Sequence, residues 1–448
     1  MAYRFLGWTS AVLVLMTGSS PGVAAENPGP ADEAQLLAET NARIRRTRTA
    51  PLEIEVTDAQ GKPAANRVVQ VEHVRHLFHF GAGFDARIME RPDETDVDRR
   101  HRDQFLKLFN CATVHLYWGG YERQEGQPEG ARRADYARWL KTKGLVPRGH
   151  PVFWNQDNTL PRWLRERNPA PAEMRKLMDE RLREMSGSVL PELRDVDVFN
   201  ELVHWERFTN NPLSRLLVEQ GKVAVVTHYL RETRRLNPGV QLVVNDYDPT
   251  PAFDTLLRQL LDAGAPIDFI GQQSHMHGGP WSVKQTWECL ERHARLQRPV
   301  LFTELSVLSG PVRRNLDYQG RQEGWETDPE NERRQAEYLE QFYRLLYSHP
   351  NCLGVVIWNY SDRGAWLGAP VGLLRKDGSP KPSFERLDRL INREWRTQGQ
   401  FTTDASGRIT VPGAFEGHYR ITTGDVEASG DHRAGQPLRL RLRLENAA

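Results

Sequence analysis

The sequence predicts an α/β protein: a (β/α)8 TIM barrel with a small β-sandwich-like accessory domain built from the N- and C-terminal segments. Short apolar runs alternate with helical patterns over the middle of the chain, and polar side chains follow the apolar runs. Both ends instead carry alternating apolar residues separated by turn residues. A length of 448 residues accommodates one large and one small domain.

The first 48 residues predict an export signal followed by a leader. Arg4 precedes a short apolar stretch, and the small residues before Glu26 offer a cleavage site. We therefore expect a signal peptide over residues 1–25, a leader over 26–48, and a secreted or periplasmic protein. No later segment is apolar for long enough to cross a bilayer, so membrane insertion is not expected.

The two chain ends predict the accessory domain. Alternating apolar residues surround turns rich in Asp, Gly and Pro, and each end alone is too small to bury a core. We expect the ends to pair, with residues 49–75 and 399–448 as the two parts of this domain and residues 76–398 as the barrel. The predicted accessory strands are Leu52–Val56, Val68–Glu72, Ile409–Pro412, Tyr419–Thr422 and Leu438–Leu444.

Between the two ends the chain predicts eight strand–helix units. The apolar runs are short enough for buried parallel strands, and the segments between them have helical periodicity. The predicted strands are 78–84, 112–117, 146–153, 196–200, 241–245, 269–273, 300–304 and 355–358. The predicted helices are 102–109, 135–143, 172–185, 214–236, 253–263, 282–296, 332–348 and 384–392.

Composition limits the partners that this chain is expected to have. Lys and Arg number 60 against 59 Asp and Glu, and no basic block stands out, so no nucleic-acid partner is expected. Three cysteines are too few and too scattered for a disulfide framework; one bridge and three buried free thiols both fit the sequence. We expect a monomer that needs no cofactor.

Two carboxylates stand out among the residues at the ends of the predicted strands. Glu201 follows the fourth strand and Glu304 ends the seventh, and in a barrel these strand ends meet at one mouth. Glycoside hydrolysis uses such a pair, one carboxyl group to protonate the leaving oxygen and one to attack or to activate water. Polar and aromatic residues at the same edge complete the predicted site: His150, Trp154, Asn200, Asn245, Tyr247, Gln273, His275, Trp358 and Trp366.

These motifs together resemble glycoside hydrolase family 10, whose best-known members are retaining endo-β-1,4-xylanases on a (β/α)8 barrel. The pieces that carry the resemblance are Arg148-Gly149-His150 with Trp154, Asn200-Glu201, Asn245-Asp246-Tyr247, Gly271 to His275, Thr303-Glu304-Leu305, and Trp358 with Asp362 and Trp366. The resemblance implies a secreted retaining endo-hydrolase that cleaves β-1,4-xylosidic bonds in xylan or a decorated xylan, with this polysaccharide as its partner.

The resemblance also implies a role for each site residue. Glu201 is expected to be the general acid/base and Glu304 the nucleophile, while Asn200 is expected to bond to the sugar 2-hydroxyl group. His275 is expected to hold the nucleophile in position, and Gln273 to bond to the acid/base. The side chains expected to enclose the sugar at the cleaved bond are His150, Trp154, Trp358 and, as a cover, Trp366.

The chain departs from the family pattern after the second strand. Where the family has Glu-Asn-Glu-Met-Lys-Trp, residues 113–118 read Thr-Val-His-Leu-Tyr-Trp, so Tyr117 stands where a lysine is expected. Asn155 likewise replaces a histidine after Trp154. Both changes fall among sugar-binding positions and leave the identity of the glycan open. Tyr247 fits either a platform for the leaving sugar or an ordinary aromatic residue at the barrel rim.

Three alternatives remain open from the sequence. The first is the same mechanism on a different β-glycan, and the second is a non-catalytic barrel that binds glycans. Binding alone requires neither carboxylate, which disfavours the second. The third is a metal-dependent hydrolase, because His275 and His277 are two residues apart on a strand and share a face. No further ligand stands in a matching motif, so no metal is expected.

Overall fold

A computed structural model describes residues 33–208, 210–318 and 320–444. The predicted signal peptide and the first part of the predicted leader lie outside the described residues. In chain order the strands are β1 (Thr49–Thr57), β2 (Val68–His76), β3 (His79–Gly83), β4 (Cys111–His115), β5 (Val146–His150), β6 (Asp195–Asn200), β7 (Gln241–Asp246), β8 (Phe269–Gln272), β9 (His275–Met276), β10 (Val300–Val307), β11 (Cys352–Ile357), β12 (Gly399–Thr402), β13 (Arg408–Phe415), β14 (Gly417–Thr423), β15 (Val426–His432) and β16 (Arg439–Arg443).

The helices alternate with the barrel strands, with one change from the predicted pattern. The predicted helix 214–236 is wrong as a single unit, because Gly221 at φ +81° ends one helix and a second begins after it. None of the helices in the described part of the chain is long and apolar enough to span a membrane. In chain order the helices are α1 (Glu33–Ala38), α2 (Thr40–Arg48), α3 (Asp96–Leu108), α4 (Trp118–Tyr121), α5 (Gly130–Thr142), α6 (Arg162–Arg167), α7 (Pro171–Gly187), α8 (Pro212–Gln220), α9 (Lys222–Leu236), α10 (Pro251–Asp262), α11 (Val283–Ala294), α12 (Pro329–Ser348) and α13 (Pro382–Arg389).

Parallel strands close into the predicted barrel, in the order β3, β4, β5, β6, β7, β8, β10 and β11. The last strand pairs with β10 on one side and with β3 on the other, which closes the sheet. Every residue of β6 and of β10 is buried, as expected for strands covered on both faces. The predicted (β/α)8 fold is confirmed, and its strands deliver their C-terminal ends to one face.

The two chain ends form the predicted β-sandwich-like domain. One sheet has the order β13–β1–β16 and the other β12–β2–β14–β15. Both sheets contribute to one apolar core, in which Leu52, Ile54, Val71 and Ile421 are at most 1% exposed. Because strands from both ends share this core, neither end could bury it alone. The sequence missed β12 and β15, in which exposed and half-buried residues alternate without a strong apolar set.

The segment before β1 joins the accessory domain to the barrel. The helices α1 and α2 bury Leu36 and Ile44. At the end of α2, the buried Arg48 donates hydrogen bonds to the carbonyl oxygens of Tyr347, His349 and Cys352, at 2.7–2.8 Å. These bonds fix the start of β1 against the end of α12. The three cysteines are buried free thiols, one of the two outcomes that the sequence left open.

Candidate active site

The predicted site residues lie on the barrel face that the strand C-terminal ends form. His150 ends β5, Asn200 ends β6, Asn245 lies in β7, His275 begins β9 and Glu304 lies in β10. The other predicted residues occupy the loops beyond the strands, namely Tyr117, Trp154, Glu201, Tyr247, Gln273, Trp358 and Trp366. Hydrogen bonds and ring contacts join these side chains into one cluster.

Glu201 occupies a strained backbone position directly after β6. The register of β6 against β7 shifts between Asp197 and Phe199, which marks a bulge. Glu201 then adopts φ +55°, a left-handed conformation that costs a non-glycine residue about 1–2 kcal/mol. Its backbone N–H donates to the carbonyl oxygen of Asn245 at 2.9 Å and holds it there. Strain of this kind concentrates at functional sites.

The surroundings of the Glu201 carboxyl group favour its protonated form. Gln273 Nε2 donates to Oε1 at 3.2 Å, and Arg207 Nη2 donates to Oε2 at 2.8 Å. Burial raises the pKa of Glu201 to about 7, and the negative charges of Glu304 and Asp246 act in the same direction. The Arg207 guanidinium and the Gln273 amide oppose this rise of the pKa without cancelling it.

The Glu304 carboxyl group, although buried, is held in its ionised form. Asn245 Nδ2 donates to Oε1 at 2.7 Å, and His275 Nε2 donates to Oε2 at 3.0 Å. His150 Nδ1 lies 3.6 Å from Oε1. Burial alone would raise the pKa of Glu304, but His150, His275 and Asn245 outweigh burial and lower the pKa to about 2. At neutral pH the site thus holds one ionised carboxylate beside a group that titrates near pH 7.

A chain of side-chain amides connects the two carboxyl groups. Gln273 Nε2 donates both to Glu201 Oε1 and to Asn200 Oδ1, at 3.2 and 3.1 Å. Asn245 Nδ2 donates to Asn200 Oδ1 at 2.8 Å and to Glu304 Oε1 at 2.7 Å. Because Asn200 Oδ1 accepts two hydrogen bonds, the orientation of its amide is fixed and its Nδ2 donor is left for another partner.

A buried group of charges lies behind His150. Arg148 is fully buried and donates to Asp195 Oδ1 at 3.1 Å and to Asp197 Oδ1 at 2.5 Å. The other oxygen of Asp197 is 2.6 Å from His150 Nδ1. The guanidinium pairs both aspartates, which could not remain charged in this interior without a partner. The bond to Asp197 in turn orients the imidazole, so that its Nε2 is free to face the site.

Three buried polar atoms of the site have no partner among the described residues: the donors Trp154 Nε1 and Asn200 Nδ2, and His150 Nε2, which accepts while Nδ1 donates to Asp197. Leaving a buried polar atom unpaired costs about 1–3 kcal/mol, so such atoms are retained where a ligand pairs with them. Two donors and one acceptor in the same cluster suit a ligand rich in hydroxyl groups, because a hydroxyl group both donates and accepts.

Aromatic rings enclose the same space. The Trp358 ring lies 5.0 Å from the ring of His115, 5.2 Å from that of His150 and 6.0 Å from that of His275. Trp366, which is 36% exposed, lies 5.0 Å from the ring of His275 at the rim. Flat apolar rings beside oriented polar donors match a sugar, whose ring faces are apolar and whose edges carry hydroxyl groups.

Comparison with protein families identifies the barrel. A model described as glycosyl hydrolase family 10 matches residues 76–389. The chain belongs to glycosyl hydrolase family 10.

Curated relatives of this family 10 chain include proteins with different names. It is 27% identical over 405 residues to "Anti-sigma-I factor RsgI6" of Acetivibrio thermocellus, covering 88% of this chain and 47% of that protein. It is 23% identical over 428 residues to "Endo-1,4-beta-xylanase 1" of Arabidopsis thaliana, covering 92% of this chain and 41% of that protein. "Endo-1,4-beta-xylanase 3" of Hypocrea jecorina is 25% identical over 353 residues, with 76% and 90% covered. The chain thus spans less than half the length of the first two relatives.

Solved structures share the barrel fold. Xylanase 10B from Thermotoga petrophila, crystallised with xylobiose, has a TM-score of 0.59 at 17% identity, covering 71% of this chain and 95% of that one. A GH10 protein from Paenibacillus barcinonensis has a TM-score of 0.57 at 20% identity, covering 71% and 96%. At these identities the likeness establishes the fold alone.

The two departures from the family 10 pattern have different structural consequences. Asn155 Nδ2 donates to the Trp205 carbonyl oxygen and to Ser214 Oγ, both at 2.9 Å. It therefore braces the loop after β6 against α8. Tyr117 remains at the site, with its ring 5.4 Å from that of His150. Burial, reinforced by the nearby carboxylates, raises the pKa of Tyr117 well above its usual value, so the phenol stays neutral.

The histidine pair after β8 contacts Glu304 and Trp366. His275 contacts Glu304 Oε2 at 3.0 Å and Ser306 Oγ at 3.1 Å. His277 is 1% exposed, with its ring 5.7 Å from His275 and 5.2 Å from Trp366. Across residues 33–208, 210–318 and 320–444, no group of three or more His, Cys, Asp or Glu side chains could hold a metal ion.

Among the side chains that contact predicted site residues, Asp197, Arg207 and Ser306 were not predicted from the sequence. The sequence did carry a signal for Asp197, because two aspartates within a buried apolar strand require a buried cation. Arg207 and Ser306 carried no comparable signal. Their contacts depend on how a loop and a neighbouring strand fold across the barrel mouth.

Proposed function

We propose that this family 10 protein is a secreted, retaining, endo-acting glycoside hydrolase that cleaves β-1,4-xylosidic bonds in xylan or a decorated xylan. Glu201 acts as the general acid/base and Glu304 as the nucleophile. The observation that carries the proposal is the contrast between the surroundings of the two carboxyl groups. Asn245, His275 and His150 surround Glu304, which lowers its pKa to about 2, whereas burial beside Glu304 raises the pKa of Glu201 to about 7. Retaining hydrolysis needs this contrast, since a protonated acid must work beside an ionised nucleophile.

In the first step Glu304 attacks the anomeric carbon while Glu201 gives its proton to the leaving oxygen. The bond to the leaving sugar breaks, and an ester between Glu304 and the sugar forms. In this proposal Asn200 Nδ2, which has no partner among the described residues, donates to the 2-hydroxyl group. His275 and Asn245 hold the attacking carboxylate in one orientation.

In the second step Glu201 acts as a base. It takes a proton from water, whose oxygen attacks the anomeric carbon, and the ester bond to Glu304 breaks with net retention. The charges of the site favour this change of role. The negative charge of Glu304 helps to raise the pKa of Glu201, and that charge is absent while Glu304 is esterified. The pKa of Glu201 therefore falls when the residue must accept a proton.

The experiment is reducing-sugar release from glucuronoxylan, arabinoxylan, mixed-linkage glucan and cellulose. The wild type is compared with Glu201→Ala and Glu304→Ala, and with Glu166→Ala, which removes an exposed carboxylate of α6. We expect xylan hydrolysis by the wild type and the control, and a loss of about 10²–10⁴-fold in Glu201→Ala. Hydrolysis of another glycan, without hydrolysis of either xylan, would support the proposed mechanism but show that xylan is not the substrate.

The stereochemistry of the product tests the role of Glu304 separately. Proton NMR during hydrolysis of a xylo-oligosaccharide distinguishes the β-anomer from the α-anomer before mutarotation. We expect the β-anomer first, because two displacements restore the configuration. An initial α-anomer would mean direct attack by water and would remove Glu304 from the nucleophile role.

A second candidate function is a non-catalytic barrel that binds glycans. It is favoured by the match of 88% of this chain to a protein named as an anti-sigma factor. Under this alternative the wild type binds xylan in affinity electrophoresis but releases no reducing sugar. Glu304→Ala would then leave binding nearly unchanged, because binding does not need an ionised nucleophile.

A further inference from the structure

One cation lies against the acid/base, outside the group of residues that the mechanism uses. Arg207, in the single helical turn Trp205–Phe208 after β6, donates from Nη2 to Glu201 Oε2 at 2.8 Å. Its guanidinium lies 4.9 Å from the centroid of the Tyr247 ring and 5.0 Å from that of Phe208. Its side chain is nevertheless 43% exposed. The cation is thus oriented by its neighbours and still open to a ligand.

Arg207 lies on the leaving-group side of the acid/base. The side chains that contact Glu304 surround the sugar whose anomeric carbon is attacked, whereas the acid/base faces the oxygen of the leaving sugar. In the described part of the chain, Arg207 bonds to Glu201 and to the carbonyl oxygen of His204, and has no bond to Glu304. It also stacks on Tyr247, in the loop after β7. Under the proposed function, the leaving sugars lie beside Arg207 and Tyr247.

We propose that Arg207 binds a carboxylate carried by the sugars on the leaving-group side, so that the enzyme prefers glycan chains decorated with a hexuronic acid. This inference rests on the proposed function, since it assigns a ligand to the same active site. A guanidinium offers a planar fork that fits a carboxylate with two parallel hydrogen bonds. Arg207 Nη1 has no hydrogen bond to the described residues, so part of that fork is available.

When Arg207 exchanges Glu201 for a substrate carboxylate, the protonation of Glu201 also changes. The charges of Glu304 and Asp246 favour the protonated form of Glu201, whereas the charge of Arg207 favours the ionised form. A substrate carboxylate that draws Arg207 away leaves Glu201 more readily protonated when the leaving oxygen needs a proton. A hexuronic acid thus contributes binding and improves the acid in one event. The other titratable side chains that face Glu201 are Tyr117 and Tyr247.

The test uses two polymers that differ only in charge: glucuronoxylan, and the same glucuronoxylan with its uronic acid carboxyl groups reduced to alcohols. The enzymes are the wild type, Arg207→Gln, Arg207→Lys and the control Arg334→Gln, which removes an exposed arginine of α12. We expect kcat/KM of the wild type to be about tenfold higher on the charged polymer, the contribution of one charge-assisted hydrogen bond. We expect the ratio of kcat/KM on the charged polymer to kcat/KM on the reduced polymer to fall to near one in Arg207→Gln. The same ratio is expected to be intermediate in Arg207→Lys and unchanged in the control.

The pH profile on the reduced polymer gives an independent readout. Without Arg207 the pKa of Glu201 rises, so the alkaline limb of kcat/KM moves to higher pH in Arg207→Gln. A ratio near one in the wild type, or an unchanged ratio in Arg207→Gln, overturns the proposal. If the wild type hydrolyses neither polymer, the proposed function fails. In that case the role of Arg207 is tested by binding. Tighter binding of the charged polymer by the wild type, lost in Arg207→Gln, would support the role, and equal binding of the two polymers would overturn it.

Discussion

Replacing Glu201 by glutamine is expected to stabilise the fold at alkaline pH while it removes the proposed catalytic acid. The carboxyl group is 12% exposed, and its pKa is about 7 in the folded protein against 4.5 for an ordinary glutamate. Keeping this group ionised in the fold therefore costs about 3 kcal/mol, at about 1.4 kcal/mol per unit of pKa difference. Glutamine has a similar shape and no charge, so the variant avoids that cost.

The gain in the free energy of unfolding that we expect from Glu201→Gln increases as the pH rises. Below pH 4.5 the carboxyl group is protonated in both the folded and the unfolded chain, and the charge makes no difference. As the pH rises from 4.5 to about 7, the unfolded chain ionises first, so the wild type loses stability relative to the variant. Above pH 7 the full difference in the free energy of unfolding is reached.

Glu304→Gln is the matched variant, and we expect it to change the free energy of unfolding in the opposite direction. The pKa of Glu304 is lowered to about 2, so its ionised form stabilises the fold. That stabilisation is fully present above pH 4.5 and is lost as the pH falls through 4.5 towards 2. Removing the charge is therefore expected to cost about 3 kcal/mol at pH 7, by the same conversion from pKa difference to free energy.

Thermal unfolding of the three proteins at pH 4.5, 6 and 8, followed by circular dichroism, measures both effects. Each kcal/mol is expected to move Tm by about 1 °C in a protein of this size. At pH 8 Glu201→Gln should unfold several degrees above the wild type and Glu304→Gln several degrees below it. If Glu201→Gln gains nothing between pH 4.5 and pH 8, the assignment of a buried, protonated acid is wrong.

Three further predictions concern the acid and two buried arginines. In the wild type, kcat/KM should fall above about pH 7 as Glu201 loses its proton; a fall centred near pH 5 in a pH–rate profile would contradict this. Asp197→Asn leaves the buried Arg148 with one ionised partner and should cost about 3 kcal/mol, which urea denaturation at pH 7 would detect. Arg48→Met removes three hydrogen bonds to carbonyl oxygens and should cost about 3 kcal/mol in the same assay; Arg46→Met, on the exposed face of α2, is the control and should cost little.

The barrel was predictable because its strands are local features of the sequence. Each barrel strand is a short apolar run, and burial on both faces leaves a continuous apolar pattern rather than an alternation. The accessory domain was harder, since β15 alternates exposed and half-buried residues without a strong apolar set. The break between α8 and α9 depends on one glycine whose positive φ does not show in the helical periodicity around it.

The candidate site was predictable wherever a residue stood at the end of an apolar run. Glu201 and Glu304 both meet that description, and the resemblance assigned them a function. The contacts around them were not predictable in the same way. His275 meets Ser306 across two strands, and Arg207 returns to Glu201 through a turn within its own loop. Such contacts depend on the path of the backbone, which composition and spacing leave undetermined.

The charges of the site act as one connected system. Glu304 is ionised partly because His150 lies near it, and His150 is oriented by Asp197, whose charge Arg148 pairs. The ionised Glu304 in turn helps to keep a proton on the acid beside it. A change at Arg148 in β5 or Asp197 in β6 is therefore expected to alter the pKa of Glu201 through Glu304. This coupling explains why charged residues occupy positions of two strands that packing alone would fill with valine or isoleucine.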